Sequence, residues 1–270
     1  NRDMLGFSEE AQLPPIYLED VKLYAAATND NPDLYSDTTT VPPLFLSRLI
    51  HPFLTDVITK PELRMNILKM VHGELFIRWI SSISPSDRLT LRMHLREILD
   101  TPAGELLKIS FIIKKGQTEA AEAIAGLLIR NPSGEKSKKE EERREPFYTI
   151  GIKTLQEQAL KYAKASLDNN LIHTSTLFAK IAGLKRPILH GVCVFAITCN
   201  ELLKRFADGN KNRLVSMSGR FAYPVYPGET ITLRCFKSGS NNIVDFDVIN
   251  QGGRQNIRFG RFEFRNQSDE

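Results

Sequence analysis

The positions of the apolar residues divide the first part of the chain into two helical segments. Between Leu13 and Tyr35 they recur at the spacing of an amphipathic helix, and a polar break at residues 28–32 ends the pattern. A second apolar run, from Leu44 to Ile58, also has helical spacing but contains Pro52. Proline lacks an N–H and clashes with the preceding turn. We therefore predict one helix that ends in a turn and a second that is kinked or broken at Pro52.

The pattern then changes to that of strands. From Met70 to Leu95, alternating and β-branched residues flank a turn sequence at residues 84–87, which predicts two strands joined by a turn. Two further strands are predicted at Leu106–Ile113 and Ala120–Ile129, although the alanines of the second segment fit a helix as well. Helices followed by several antiparallel strands are typical of an α+β unit.

A charged segment separates this unit from the rest of the chain. Residues 134–145 hold five basic and five acidic side chains and no apolar one, so they cannot bury surface. We predict a flexible linker at 133–146, with an N-terminal domain at 1–132 and a C-terminal domain at 147–270.

Two sequences recur on the far side of this segment. Residues 162–168 repeat the layout of residues 24–30, and residues 227–234 repeat that of residues 85–92, at the similar offsets of 138 and 142 positions. Separated blocks that recur at nearly one spacing indicate a duplicated unit. The chain is thus predicted to be a pseudo-dimer of two α+β halves.

Composition and charge narrow the class of protein. The chain has 270 residues, 41% hydrophobic, and its 36 basic and 32 acidic residues are spread along it, which is typical of a globular protein without a nucleic-acid-binding surface. No apolar run reaches the ~18 to 20 residues of a membrane span, and no charged-then-apolar leader is expected at the start. Three irregularly spaced cysteines favour a reducing compartment. We expect an intracellular protein, with cytoplasm, peroxisome and mitochondrion left open.

Candidate chemistry lies near the second copy of the first repeat. Asp168 and His173 are five positions apart in a polar turn, ahead of an apolar segment that begins at Gly191. Histidine titrates near neutrality and can take a proton from water, while an aspartate can orient that water and stabilise the imidazolium. The backbone N–H of Gly191, at a helix start, can donate to a carbonyl oxygen that gains negative charge. Asn170 does not titrate, so its predicted role is to position the loop or the substrate.

The same residues carry a family resemblance. The segments 168–173, 178–179, 183 and 186–193 resemble the motif of the MaoC-like dehydratases, the R-specific enoyl-CoA hydratases. Residues 226–230 resemble a β-turn of that family, and residues 72–74 with 85–90 resemble the N-terminal half of its two-hotdog members. The chain departs from the family pattern at Leu167 and Leu171, where glycine and proline are usual, and at Ser175-Thr176, where Asp-Pro is usual.

The resemblance implies a fold and a reaction. The fold would be a tandem hotdog, α+β, in which each half wraps an antiparallel sheet around a central helix; in the second half that helix would run from Gly191 to about Phe206. The reaction would be reversible hydration of trans-2-enoyl thioesters to (R)-3-hydroxyacyl thioesters of CoA or acyl carrier protein in fatty-acid metabolism, without a metal or redox cofactor, in a homodimer. Two alternatives stay open: a hotdog acyl thioesterase, and a catalytically silent subunit that binds acyl thioesters.

The remaining charged and imidazole side chains have simpler interpretations. Lys185 and Arg186 precede the helix start and are candidates to contact carrier phosphates. The alternative, that both are solvated surface charges, fits the sequence equally well. His190 is interpreted as a structural hydrogen-bonding residue. The other three histidines are interpreted as ordinary interior or surface residues, namely His51, His72 and His94.

The N-terminal half is predicted to have lost the chemistry. Tyr35 stands at the repeat position of His173, and a phenol with a pKa near ~10 is a poor base, which would leave Asp30 without a partner. Pro52 would keep a long helix from filling this half. We therefore predict space there for the acyl chain of the substrate.

Overall fold

A computed structural model of the chain describes Arg2 and residues 5–36, 40–61, 70–130 and 144–266. Most of the segment predicted as a linker lies outside these ranges. Arg144, at its end, is held against the C-terminal half, with its guanidinium 3.1 Å from a carboxylate oxygen of Asp245. The domain limits at 132 and 147, and the flexibility of the segment between them, stay predictions.

In the part of the chain that the structure describes, each half contributes five strands, and the helices precede most of the strands. The N-terminal half contains β1 Ser8–Gln12, α1 Leu18–Ala27, α2 Leu46–Ile58, β2 Met70–Trp79, β3 Leu89–Thr101, β4 Gly104–Lys115 and β5 Thr118–Arg130. The C-terminal half contains β6 Tyr148–Lys153, α3 Gln158–Ser166, α4 Leu171–Thr174, α5 Thr176–Ile181, α6 Gly191–Phe206, β7 Leu214–Phe221, β8 Thr230–Lys237, β9 Ile243–Ile249 and β10 Gln255–Phe264. The predicted α+β class is confirmed.

All ten strands belong to one antiparallel sheet, in the order β1-β3-β4-β5-β2-β7-β10-β9-β8-β6. The order in the second half is the mirror image of the order in the first, with β2 and β7 side by side at the centre. This is the arrangement that a duplicated unit produces when its two copies join edge to edge. The two halves therefore share one continuous sheet.

Equivalent hydrogen bonds in the two halves fix the correspondence between them. The amide of Val41 donates to the carbonyl of Ile83 at 2.9 Å, and the amide of Leu189 donates to the carbonyl of Val225 at 2.8 Å. Two residues after each of these amides stand Pro43 and Gly191, respectively. Pro43 is thus the N-terminal counterpart of Gly191, and proline has no N–H to donate.

The central helices of the two halves differ in burial. In α6 ten of sixteen residues are buried, and its bounds confirm the predicted helix from Gly191 to about Phe206. In α2 only four of thirteen are buried. The expectation of a break at Pro52 is wrong, because α2 continues through it. Pro52 lies on the exposed face, where water can bond the carbonyl that a missing N–H leaves free.

Alternating alanines shape the inner face of the N-terminal half. The segment that fitted either a strand or a helix is strand β5, in which Ala121, Ala123 and Ala125 are buried at every second position. A side chain of one carbon leaves room between the sheet and the helices. Within the described ranges, no helix combines the length and apolarity needed to cross a bilayer.

Candidate active site

The loop after α3 presents Asp168. Leu167 ends the helix in the left-handed conformation, with φ of 63°. Glycine adopts this conformation without strain, which accounts for the glycine usual there in the family that the sequence resembles. The amide of Asn170 donates to Oδ1 of Asp168 at 3.2 Å, and the side chain of Asn170 accepts from the amide of Ile172 at 3.3 Å. Asn170 thus holds the loop and caps α4.

His173, in α4, is oriented by a backbone carbonyl. Its Nδ1 lies 2.9 Å from the carbonyl oxygen of Ile188. Because a carbonyl only accepts, Nδ1 carries the proton and Nε2 keeps its lone pair. The residue is 8% exposed and lies in a short helix, so it is buried although the surrounding sequence is polar. Burial lowers the pKa of His173, although Asp168 acts in the opposite direction. The imidazole is therefore a neutral base near pH 7.

His190 connects the loop to the start of α6. Its ring stacks on that of His173 at a centroid distance of 3.7 Å, and its Nε2 donates to the backbone carbonyl of Asp168 at 3.1 Å. Burial and the neighbouring His173 lower the pKa of His190 to about 3, so it stays neutral. The prediction of a structural hydrogen-bonding role is confirmed.

As a result, three polar side chains converge. An oxygen of Asp168 and a ring nitrogen each of His173 and His190 lie within 4.8 Å of one another. A single water can contact both the carboxylate and the imidazole at this separation. One nitrogen of each ring already donates to a backbone carbonyl, so each imidazole keeps a single lone pair for another partner.

Gly191 begins α6 at the same place. The first N–H groups of a helix have no partner within the helix and carry its positive dipole end. A Cβ on Gly191 would lie 2.9 Å from the ring of Phe221, closer than packing allows. Glycine therefore lets this helix start approach β7 closely, with its amides directed outward along the helix axis.

The two basic residues before the helix are exposed. The Arg186 guanidinium donates to the carbonyl of Pro227 at 3.1 Å and stacks over the ring of Tyr226 at 4.9 Å. Arg186 is therefore fixed beside the turn that follows β7. Lys185 projects from the same loop.

A cavity with a volume of about 90 Å³ runs from Asp168 into the N-terminal half. Its wall is mostly apolar and comes mainly from the N-terminal half. It is lined by Leu44, Leu46, Ser47, Ile50, His51, Leu54, His72, Leu75, Ile77, Phe111, Ala123, Ala125, Tyr162, Ser166, Asp168 and Val192. The small alanines of β5 and the loosely buried α2 leave this space open.

Two histidines that were interpreted as ordinary residues belong to this site. Nε2 of His51, on α2, lies 3.5 Å from Oδ1 of Asp168. His72, on β2, lines the same cavity, and its Nε2 is buried without a hydrogen-bond partner among the described residues. About one hundred positions separate them from Asp168 along the chain. No local sequence pattern could have connected them to it.

The corresponding place in the N-terminal half is closed. The hydroxyl of Tyr35 donates to Asp30 at 2.7 Å, and the ammonium of Lys211 lies 3.0 Å from the same carboxylate oxygen. The expectation that Asp30 lacks a partner is therefore wrong. Burial and the charge of Asp30 raise the pKa of Tyr35, so the phenol cannot act as a base at neutral pH. This carboxylate is neutralised by Lys211 from the other half.

Comparison with known proteins identifies a family and several relatives that this chain resembles. Residues 137–255 match the family model of the MaoC-like domain. Among curated relatives, an enoyl-CoA hydratase of Mycobacterium tuberculosis is 28% identical over 85% of this chain and 87% of its own length. The mouse peroxisomal multifunctional enzyme type 2 is 29% identical over 67% of this chain, a match that spans only 26% of the mouse protein.

Solved structures extend the likeness over both halves. A MaoC-like dehydratase from Phytophthora capsici is 27% identical, with a TM-score of 0.83 over 99% of both chains. A protein from Mycobacterium tuberculosis with a double hotdog fold has a TM-score of 0.61 over 96% of this chain and 95% of its own, at 9% identity, which shows the fold alone. The predicted tandem hotdog fold is confirmed.

Proposed function

We propose that the protein, whose residues 137–255 match the family model of the MaoC-like domain, is a hydro-lyase that hydrates trans-2-enoyl thioesters reversibly to (R)-3-hydroxyacyl thioesters in fatty-acid metabolism. The observation that carries the proposal is the meeting of Asp168 and His173 within 4.8 Å, with Asp168 also lining an apolar cavity. A catalytic water has two polar partners there. The name of the mycobacterial relative, an enoyl-CoA hydratase, supports the same reaction.

The reaction follows from the roles of three groups. Nε2 of His173 takes a proton from a water that Asp168 orients, and the resulting hydroxide oxygen adds to C3 of the enoyl group. The thioester oxygen becomes an enolate and accepts from the backbone N–H of Gly191, a type of interaction whose loss costs about 3–4 kcal/mol of transition-state stabilisation. The proton held by the dyad then passes to C2. Overall, the elements of water add to the double bond and the enzyme is unchanged.

Incubation of the purified protein with crotonyl-CoA tests the proposal. Loss of the enoyl absorbance without release of thiol is the expected result. Release of free CoA would instead identify a thioesterase. If neither change occurs, the protein is instead a silent subunit that binds acyl thioesters.

The cavity is proposed to hold the acyl chain, with the N-terminal half serving binding and not chemistry. Leu54→Trp, in the wall of this cavity, is expected to lower kcat/KM for long-chain enoyl-CoA about tenfold or more, with a smaller effect on crotonyl-CoA, because the indole fills space that only a long chain needs. Leu44→Trp, deeper in the wall, should act in the same direction. Steady-state kinetics with enoyl-CoA substrates of graded length measures the effect.

Leu99→Trp is the matched control, since Leu99 is exposed on β3 and does not line the cavity. Equal losses for short and long substrates in Leu54→Trp would place the acyl chain elsewhere.

Lys185 and Arg186 are proposed to contact the phosphates of the carrier. The double variant Lys185→Ala, Arg186→Ala is expected to raise KM for a CoA substrate several-fold at low salt, and less at high salt, because salt screens exposed charges. Arg186→Ala alone controls for loss of the contact with Pro227. If KM of the double variant equals that of the wild type at both salt concentrations, this assignment is withdrawn.

The carrier, the cellular compartment and the oligomeric state are proposed from the names of the relatives and from the sequence. The name of the mouse relative favours the peroxisome among the three compartments left open. CoA and acyl carrier protein both remain candidate carriers, and the homodimer stays a prediction. Because the match covers about a quarter of the mouse protein, its other activities are not transferred to this chain.

A further inference from the structure

The catalytic carboxylate of the C-terminal half is approached by an imidazole of the N-terminal half. Oδ1 of Asp168 accepts from the amide of Asn170 at 3.2 Å. Nε2 of His51 lies 3.5 Å from the same oxygen and 3.4 Å from the hydroxyl of Thr55, one turn further along α2. Within the described residues, no hydrogen bond is made to Oδ2 of Asp168. One oxygen is thus held by the protein, and the other is free to contact a water.

The helix that carries His51 is fastened to the helix that ends just before Asp168. One turn before His51, the guanidinium of Arg48 donates to the carbonyl of Ala165 at 2.8 Å, near the C-terminus of α3. The same guanidinium pairs with Asp20 at 2.7 Å. Next to it, the hydroxyl of Ser47 lies 3.1 Å from that of Tyr162 on α3. These contacts fix the position of His51 relative to Asp168.

We propose that His51 is a positioning residue for the catalytic Asp168. It is supplied by the N-terminal half of the same chain, which has no catalytic dyad of its own. The proposal rests on the hydratase function proposed above. His51 holds Oδ1, so that the carboxylate plane stays oriented with Oδ2 toward the water shared with His173. The C-terminal domain alone would lack this contact.

The titratable groups around Asp168 come from four elements. They are His51 on α2, His72 on β2, His173 on α4 and His190 at the start of α6. Burial acts to raise the pKa of Asp168, but the neighbouring imidazoles outweigh it and the pKa is lowered. Removal of His51 takes away one of these contributions. The acid limb of the pH profile, where Asp168 and His173 become protonated, is therefore expected to move to higher pH, because His51 also acts to lower the pKa of His173.

Two substitutions separate positioning from packing. His51→Leu keeps the bulk of the side chain but removes the donor, whereas His51→Gln keeps a donor near the place of Nε2. We expect His51→Leu to lower kcat for crotonyl-CoA about tenfold, with KM changed less than about twofold, because no imidazole then lies 3.5 Å from the Asp168 carboxylate. His51→Gln should recover most of kcat. His94→Leu, on β3 and away from the cavity, is the matched control.

The outcomes are distinguishable. Wild-type kcat and an unmoved acid limb in His51→Leu overturn the proposal, and so does equal loss in His51→Gln and His51→Leu. A wild type that does not hydrate crotonyl-CoA overturns the hydratase function instead. The contact is then tested without activity, by following the titration of the Asp168 carboxyl by carbon NMR. A higher pKa in His51→Leu than in wild type supports the positioning contact, and an equal pKa overturns it.

Discussion

Asp168→Asn is expected to lower kcat for enoyl-CoA hydration about a thousandfold, and His173→Asn by a similar factor. Each change removes one partner of the catalytic water, and general acid–base groups contribute ~10²–10⁴-fold. Because both groups act on one water, the double variant should be little worse than either single variant. Initial rates with crotonyl-CoA measure all three.

The choice of asparagine at position 173 follows from the burial of the side chain. His173→Ala would leave a cavity beneath His190 and an unpaired carbonyl at Ile188. The amide of asparagine can still donate near the place of Nδ1, while the base at Nε2 is lost. If a variant has the melting temperature of the wild type, its lower kcat is due to lost chemistry and not to unfolding. Full activity of either folded single variant would contradict the mechanism.

The pH dependence of the wild type follows from the same groups. Both Asp168 and His173 have lowered pKa values. Both must be deprotonated in the active enzyme, Asp168 to orient the water and His173 to take its proton. Activity should therefore persist below the ordinary histidine pKa of about 6.5 before the acid limb appears.

Lys211→Met is expected to destabilise the protein by about 3–5 kcal/mol, because it leaves the carboxylate of Asp30 buried without its cation. The side chains of Lys211 and Asp30 are 9% and 0% exposed, so neither charge is solvated when its partner is removed. Urea unfolding measures the change in free energy. Lys161→Met is the matched control, since its ion pair with Glu157 is half exposed on both sides and should contribute little.

Activity tests the role of this ion pair independently of stability. Below the unfolding transition, Lys211→Met should keep wild-type kcat per folded molecule. The double variant Asp30→Ala, Tyr35→Phe should keep most hydratase activity, although Asp30→Ala also leaves Lys211 unpaired. If that double variant is folded but inactive, the chemistry lies in the N-terminal half, or both halves have an active site.

The sequence by itself determined most of the architecture. The offsets between repeated blocks indicated two copies of one α+β unit, and the family resemblance implied the central helix from Gly191 to about Phe206. These features are local, because helical spacing and strand alternation reflect which face of a single element is buried. The Asp168 and His173 pair was visible for the same reason, since both lie in one short segment.

Tertiary structure decided which distant side chains meet. His51 is more than one hundred positions before Asp168, and Lys211 is far beyond Asp30, yet each lies within about 3.5 Å of its carboxylate. Charge alone in a sequence does not specify a partner at such separations. The edge-to-edge pairing of β2 with β7 brings the two halves together and creates these contacts. Only the equivalent hydrogen bonds of the two halves identified Pro43 as the N-terminal counterpart of Gly191. Local patterns encode elements, whereas a site between two halves depends on how those elements pack.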